Sequence, residues 1–297
     1  MRGRSSEFGA ASSIEIILSW VSLTMAKTIY PIILAHGICS FDHVLNILGH
    51  IDNTRNDRFH YFRKIRSVLL DHGFEAFHSR VRWAGSIGER ADDLKNSIEA
   101  LTDNFIKWKK VHVIAHSMGG LDARHMIYNY KMDNKVASLS TISTPHCGTP
   151  FADWGIQHFS FLIPLARTIG LDITGCEDLT RENCNKFNEK AWDFERENRT
   201  RYQTFAGTLP YDCIFPPFRF SYSIIYQEEG ENDGQVSLRS AKWRDEFFVK
   251  QIDADHFNQI GWWHPWGGSN DFTRKAFEKR IQKFYLEIAE GLADKGM

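Results

Sequence analysis

Three residue types in this chain, taken together, can do nucleophilic chemistry: a serine, a histidine and an aspartate. A serine hydroxyl attacks well only when a base accepts its proton, and an imidazole is that base when a carboxylate orients it. The serine is Ser117, in VHVIAHSMGGLDAR over Val111–Arg124. Ala115 and Gly119 stand two residues to either side of it. Small residues at those two places are what a sharp strand-to-helix turn needs, because larger Cβ substituents there would collide. Such a turn exposes the serine Oγ at the head of a helix, whose free N–H groups face anything bonded to it.

The base and its partner must come from elsewhere. His256, in IDADHFNQIGW, follows the strand-like FFVKQI and precedes the last helical pattern, so it hangs from a loop at a strand end. His264, in WWHPW, ranks below it. For the acid, Asp233 occupies an Asn-Asp-Gly turn between Ser117 and His256 in the order serine, acid, histidine. Asp253 and Asp255 are rivals, ranked lower because they lie too near His256 to come from a separate strand end. An oxyanion formed on attack needs two backbone donors. Met118 follows the nucleophile, and Ile38 follows Gly37 in LAHGICSFD.

The elements that must position these residues alternate. IYPIILAH, HGFEAFHSRV, VHVIAH and VASLSTIST read as strands, and helical spacing separates them over 59–70, 87–108 and 117–130. On the second of these helices, Ile98, Leu101 and Ile106 form the apolar side. A βαβαβαβ order implies a parallel sheet covered on both faces. The stretch 150–198 has no strand pattern and reads as an inserted helical cap. YQTFAG and FRFSYSIIY then resume strand character. Phe277, Ile281, Phe284, Ile288 and Leu292 mark a final amphipathic helix, with Asn270 or Asp271 as N-cap.

The totals exclude some classes. With 36 Lys+Arg against 37 Asp+Glu and no basic stripe among aromatics, nucleic acid is not an expected partner. No apolar run reaches the length of a membrane span. Five scattered cysteines, with no CxxC pair, give no zinc ribbon or redox motif. Cys176 and Cys184 either bridge a loop or, the preferred reading, stay free thiols. The first 26 residues read as a cloning scar or an N-terminal extension rather than a signal peptide: Glu15 breaks the apolar run and no small-residue cleavage site follows. Cytoplasmic and secreted locations both stay open. Residues 27–297 then form a single domain carrying the cap.

YPIILAHG, VHVIAHSMGGLDAR, STPHCGTPFADW, NDGQVS and DADHFNQIGW together resemble the bacterial triacylglycerol lipases of the Pseudomonas and Burkholderia type, within the α/β-hydrolase superfamily. The resemblance spans Tyr30 to about Trp262, with long unmatched stretches between. It implies an α/β-hydrolase fold with a mostly parallel central sheet. It also implies Ser117 as nucleophile, Asp233 as acid, His256 as base, and Ile38 and Met118 as oxyanion-hole donors. The segment after STPHCGTPFADW becomes a lid with an apolar face of Phe159, Phe161, Leu162, Ile163, Leu165 and Ile169. Trp154, Gly155 and Gly170 are its hinges, and Pro164 breaks it in two. Many such relatives hold a structural calcium through an Asp upstream of the histidine and another two residues after it. Here Asn258 stands two residues after His256 and Lys250 lies upstream, so no cofactor or metal is expected.

The leading expectation is a serine ester hydrolase, a triacylglycerol lipase working through an acyl-enzyme at an oil–water interface. A short-chain carboxylesterase, an acyltransferase and a polyester hydrolase would use the same site. A hydrolase-fold binding module is the non-enzyme alternative. It would be expected to have lost one of the three residues.

Overall fold

The computed structural model describes residues 27–38, 57–159, 174–267 and 273–296. Six parallel strands form one sheet: β1 (Ile32–Ala35), β2 (Ala76–His78), β3 (Val111–His116), β4 (Val136–Ile142), β5 (Arg201–Thr208) and β6 (Phe248–Asp253), in the spatial order β2-β1-β3-β4-β5-β6. Parallel strands need crossovers, and the helices supply them. These are α1 (Ile65–Asp71), α2 (Ile87–Thr102), α3 (Met118–Asn129), α4 (Pro150–Phe159), α5 (Thr174–Asp178), α6 (Arg181–Glu197), α7 (Arg219–Glu229), α8 (Leu238–Lys242) and α9 (Arg274–Ala293).

The two-residue period of the strands sorts the core into two layers. Ile32, Leu34, Ile114, Ile142 and Phe205 face α1 and α9, where Ile65, Leu69, Ile281 and Phe284 meet them. Ile33, Ala35, Val111, Val113 and Leu139 face α2 and α3, against Leu94, Ile98, Met126 and Ile127. All five apolar residues expected on the last helix are buried.

From β1 the chain first goes outward to β2, then returns past β1 to β3. The crevice beyond the carboxyl ends of β1 and β3 is therefore a topological switch point, where open parallel sheets place their sites. Ser117 and Gly37 both lie there.

Four expectations need correction. FRFSYSIIY is the helix α7, not a strand. Its aromatic and β-branched residues favour strand locally, yet Ser221, Tyr222 and Ile225 are buried at helical spacing while Phe220 and Tyr226 stay exposed. Helix α2 stops at Thr102, because Asp103, Asn104 and Phe105 all have positive φ. Ile106 is therefore 71% exposed, and Phe105 packs in its place. The helical pattern at 59–70 begins only at Ile65, after Lys64 at φ 58°. Helix α9 is capped by Thr273, whose Oγ1 accepts from the Ala276 amide; Asn270 and Asp271 lie outside the described residues.

The α2 correction has an energetic consequence. Leu94→Ala, at a fully buried site, is expected to cost about 2–5 kcal/mol. Ile106→Ala should stay within about 0.5 kcal/mol. Urea unfolding of the two variants checks the pair, and equal losses would contradict this packing.

Candidate active site

Ser117 joins β3 to α3 at φ 56°, ψ −136°, a region L-residues seldom occupy. The surroundings over-determine that strain. The Ser117 amide donates to the Ile142 carbonyl at 3.0 Å, and Thr144 Oγ1 donates to the Ser117 carbonyl at 2.7 Å. A Cβ on Gly119 would lie 2.6 Å from both the Ala35 and His36 carbonyl oxygens. One on Gly120 would lie 2.1 Å from Thr144 Oγ1. The turn can approach β1 and β4 only with glycine at these two places.

His256 and Asp233 meet the serine although they are distant in sequence. Ser117 Oγ is 2.9 Å from His256 Nε2, and His256 Nδ1 is 2.8 Å from Asp233 Oδ2. The His256 amide also donates to the Asp233 carbonyl at 2.9 Å, so backbone and side chain tie the two loops together. Asp233 is wholly buried. Burial alone would raise its carboxyl. The charge and hydrogen bond of His256 and the amides of Gln235 and Val236 override that and hold it below the usual carboxylate range. The order serine, acid, histidine is thus realised as one hydrogen-bonded line. The acid turn, however, follows the helix α7 rather than a strand.

The rivals have other partners. The Asp255 carboxylate accepts from the amides of Phe215, Phe257 and Asn258, and His264 Nε2 lies 2.7 Å from it. Asp255 and His264 therefore brace the loop that carries His256. Asp253 ends β6 with its residue exposed.

This bracing also decides the fit of a calcium ion. Asn258 turns its amide nitrogen to the Trp262 carbonyl at 2.9 Å, and the nearest carboxylate, Asp255, already has four donors. Among the described residues no group of three or more His, Cys, Asp or Glu is arranged to hold a metal. The residues around His256 do not fit a calcium site.

Met118 is buried at the first position of α3, where a backbone N–H has no intrahelical acceptor. Ile38 is half-buried at the end of the turn after β1. That turn is held from beneath by Arg90 of α2, which donates to the His36 carbonyl at 3.0 Å while paired with Asp122 at 2.7 Å. Burial pushes the Asp122 carboxyl up to about 6 despite that partner.

Ser117 and His256 open into a cavity of about 510 Å³ whose other walls include Ile38, Phe151, Ile156, Leu179 and Val236. Of the expected lid face, Phe159 ends α4, lines this cavity and is 49% exposed. Phe161, Leu162, Ile163, Leu165 and Ile169 lie outside the described residues, as do Pro164 and Gly170. Trp154 and Gly155 sit inside α4 rather than at a hinge. Cys184 is a buried free thiol, pushed up to about 12 by burial. Sequence reading missed Tyr61, His116 and Gln259. Their side chains surround the line of three, but no motif marks them.

Known proteins similar to this chain share its fold. Residues 49–164 match the model of the PGAP1-like alpha/beta domain family. Triacylglycerol lipase 2 of Saccharomyces cerevisiae is 28% identical, over 90% of this chain and 92% of its own length. A triacylglycerol lipase of Burkholderia plantarii is 33% identical, over 44% of this chain and 34% of its own. The chain spans about half the length of several other curated relatives it matches. Among solved structures, Staphylococcus hyicus lipase superposes with a TM-score of 0.64 at 19% identity, covering 91% of this chain and 97% of that one. With its parallel sheet, its strand-to-helix serine turn and these likenesses, the chain has an α/β-hydrolase fold and is similar to lipases and esterases.

Proposed function

We propose that the chain hydrolyses fatty-acyl esters, acylglycerols foremost, through an acyl-enzyme on Ser117. The observation that carries this reading is the continuous line Ser117–His256–Asp233 opening into an apolar cavity. In the first step Ser117 Oγ attacks the ester carbonyl carbon while His256 Nε2 takes the hydroxyl proton. Asp233 fixes the imidazole with Nδ1–H toward Oδ2 and offsets the charge it gains. The Met118 and Ile38 amides receive the developing oxyanion. His256 then gives the proton to the leaving alkoxide, which departs as an alcohol. Water, deprotonated by His256, releases the fatty acid and restores the serine.

The substrate class follows from the walls. The cavity lies within the range of small-molecule sites, about 300–1,000 Å³, and its lining is mainly aliphatic and aromatic, which suits an acyl chain. Phe159 (49%), on the cavity wall, and Phe220 (57%) stay exposed, with Trp154 between them at ring distances of 5.5 and 5.0 Å. An aromatic rim beside an apolar cavity supports action at an oil–water interface. No described helix is long and apolar enough to cross a membrane.

A phosphonate ester should label Ser117 and no other residue. On p-nitrophenyl esters of rising chain length, kcat/KM should climb beyond acetate, and turnover of a longer ester should rise at its solubility limit. A folded protein that resists the label would refute the reading. A maximum at acetate, with smooth saturation through the solubility limit, would make it a short-chain esterase instead.

A further inference from the structure

Gln259, three residues beyond His256, is fully buried, and its amide is held from two sides. Nε2 donates to Asp233 Oδ2 at 2.9 Å and to the Ala254 carbonyl at 3.2 Å. Strand β5 makes the room: a Cβ on Gly207 would lie 2.1 Å from that nitrogen. Tyr285 of α9 donates to the Gln259 backbone carbonyl at 3.1 Å. Two acceptors face the amide nitrogen, so the orientation of the amide is settled and Oε1 points the other way.

On that side lies His116, the residue before the nucleophile. It is wholly buried, with its ring 4.4 Å from that of His256. Burial and the neighbouring His256 push His116 well below the ordinary imidazole range, outweighing the opposing effects of Asp233 and Gln259. His116 is therefore neutral and carries one N–H. Its Nδ1 is 2.7 Å from Tyr61 Oη. His116 Nε2 and Gln259 Oε1 are both buried, and neither is within ordinary hydrogen-bond geometry of any partner. Oε1 can only accept. The proton thus belongs on Nε2, and Nδ1 accepts from the Tyr61 hydroxyl.

We propose that Tyr61, His116 and Gln259 form a second hydrogen-bonded arm on Asp233. Tyr61 donates to His116 Nδ1, His116 Nε2–H donates to Gln259 Oε1, and Gln259 Nε2–H donates to the same Oδ2 that orients His256. His116 and Gln259 are positioning residues. Two donors from different directions on Oδ2 stop the carboxylate from rotating, and so keep His256 aimed at Ser117. The outer end of the arm lies in the cavity wall. A Cβ on Gly37 would lie 2.9 Å from Tyr61 Oη and 2.7 Å from Ser117 Cβ, so the tyrosine hydroxyl stands beside the reacting centre. The arm's role in turnover rests on the triad reading above; its hydrogen bonding does not.

Nitrogen-15 spectra of the histidine-labelled protein read the arm directly. His116 should be the neutral Nε2–H tautomer at neutral pH. In Gln259→Met, which keeps the length and loses the amide, the proton should move to Nδ1 and donate to Tyr61. For that variant kcat should fall on the order of ten- to a hundred-fold, the worth of one hydrogen bond to a charged group, with KM within about two-fold. Tyr61→Phe should lower kcat a few-fold alone and add almost nothing in the Gln259→Met background. An Nδ1–H tautomer in the unaltered protein would overturn the arm, whether or not the variants fold. Fully additive losses would overturn it as well. If no ester were hydrolysed but the tautomer moved as stated, the triad reading would fall and the arm would stand.

Discussion

Ser117→Ala and His256→Ala should each lower kcat by at least about a thousand-fold, with the fold unchanged by circular dichroism. The serine variant loses the attacking atom; the histidine variant leaves the hydroxyl without the base now 2.9 Å away. The double variant should be hardly worse than either single one, because the residues act as one unit. Asp233→Asn should cost nearly as much, since an amide at that place favours the wrong imidazole tautomer. The Asp255 carboxylate serves as control. It is already bonded to His264 and three amides, so Asp255→Asn should affect stability more than the pH-independent rate. If Asp233→Ala kept most activity while Asp255→Ala lost it, the acid would be misassigned.

The largest loss of stability is expected away from the cavity. Arg124 of α3 is wholly buried and donates to both Glu195 oxygens on α6, at 2.7 and 2.9 Å, and to Asn188 at 2.8 Å. Its guanidinium lies 3.9 Å from the Trp243 ring. Glu195→Ala leaves that cation buried without its counter-charge, a loss on the order of 3–5 kcal/mol. For a domain of this size that corresponds to roughly 10 °C in Tm. Replacing both partners, Arg124→Met with Glu195→Leu, should recover most of the loss, because the desolvation cost disappears with the charges. Calorimetry of the single and double variants checks this. A double variant as unstable as the single one would show that packing, not charge, holds α3 to α6.

The residues of the line were legible because each sat in a local pattern with a physical meaning. Ser117 had small neighbours at a strand-to-helix junction, His256 followed an apolar run, and Asp233 lay in a turn between them. The acid was reached for a partly wrong reason. The segment before Asp233 looked like a strand because isolated Phe, Tyr and Ile favour one, while tertiary packing made it α7. Strands β1, β3 and β4 were visible because fully buried parallel strands are rich in apolar residues. Strand β6, at the sheet edge with alternating exposure, was visible as FFVKQI from its β-branched and aromatic residues. The early end of α2 was hidden because three successive left-handed residues at 103–105 leave no mark in amphipathic spacing. Gln259 and Tyr61 were invisible for a different reason. Their roles arise only where β5, α9 and the loop after Asp57 converge.

The wide separation of the line also has a consequence in time. Ser117 and His256 are 139 residues apart. At a synthesis rate of 5–20 residues per second, roughly ten seconds pass between the making of the serine and of its base. The sheet face that α9 covers stays open longer still. Throughout that interval Ser117 is an ordinary alcohol. A growing chain therefore has no activated hydroxyl to turn on the esters around it, and the start of reactivity marks the completion of the fold.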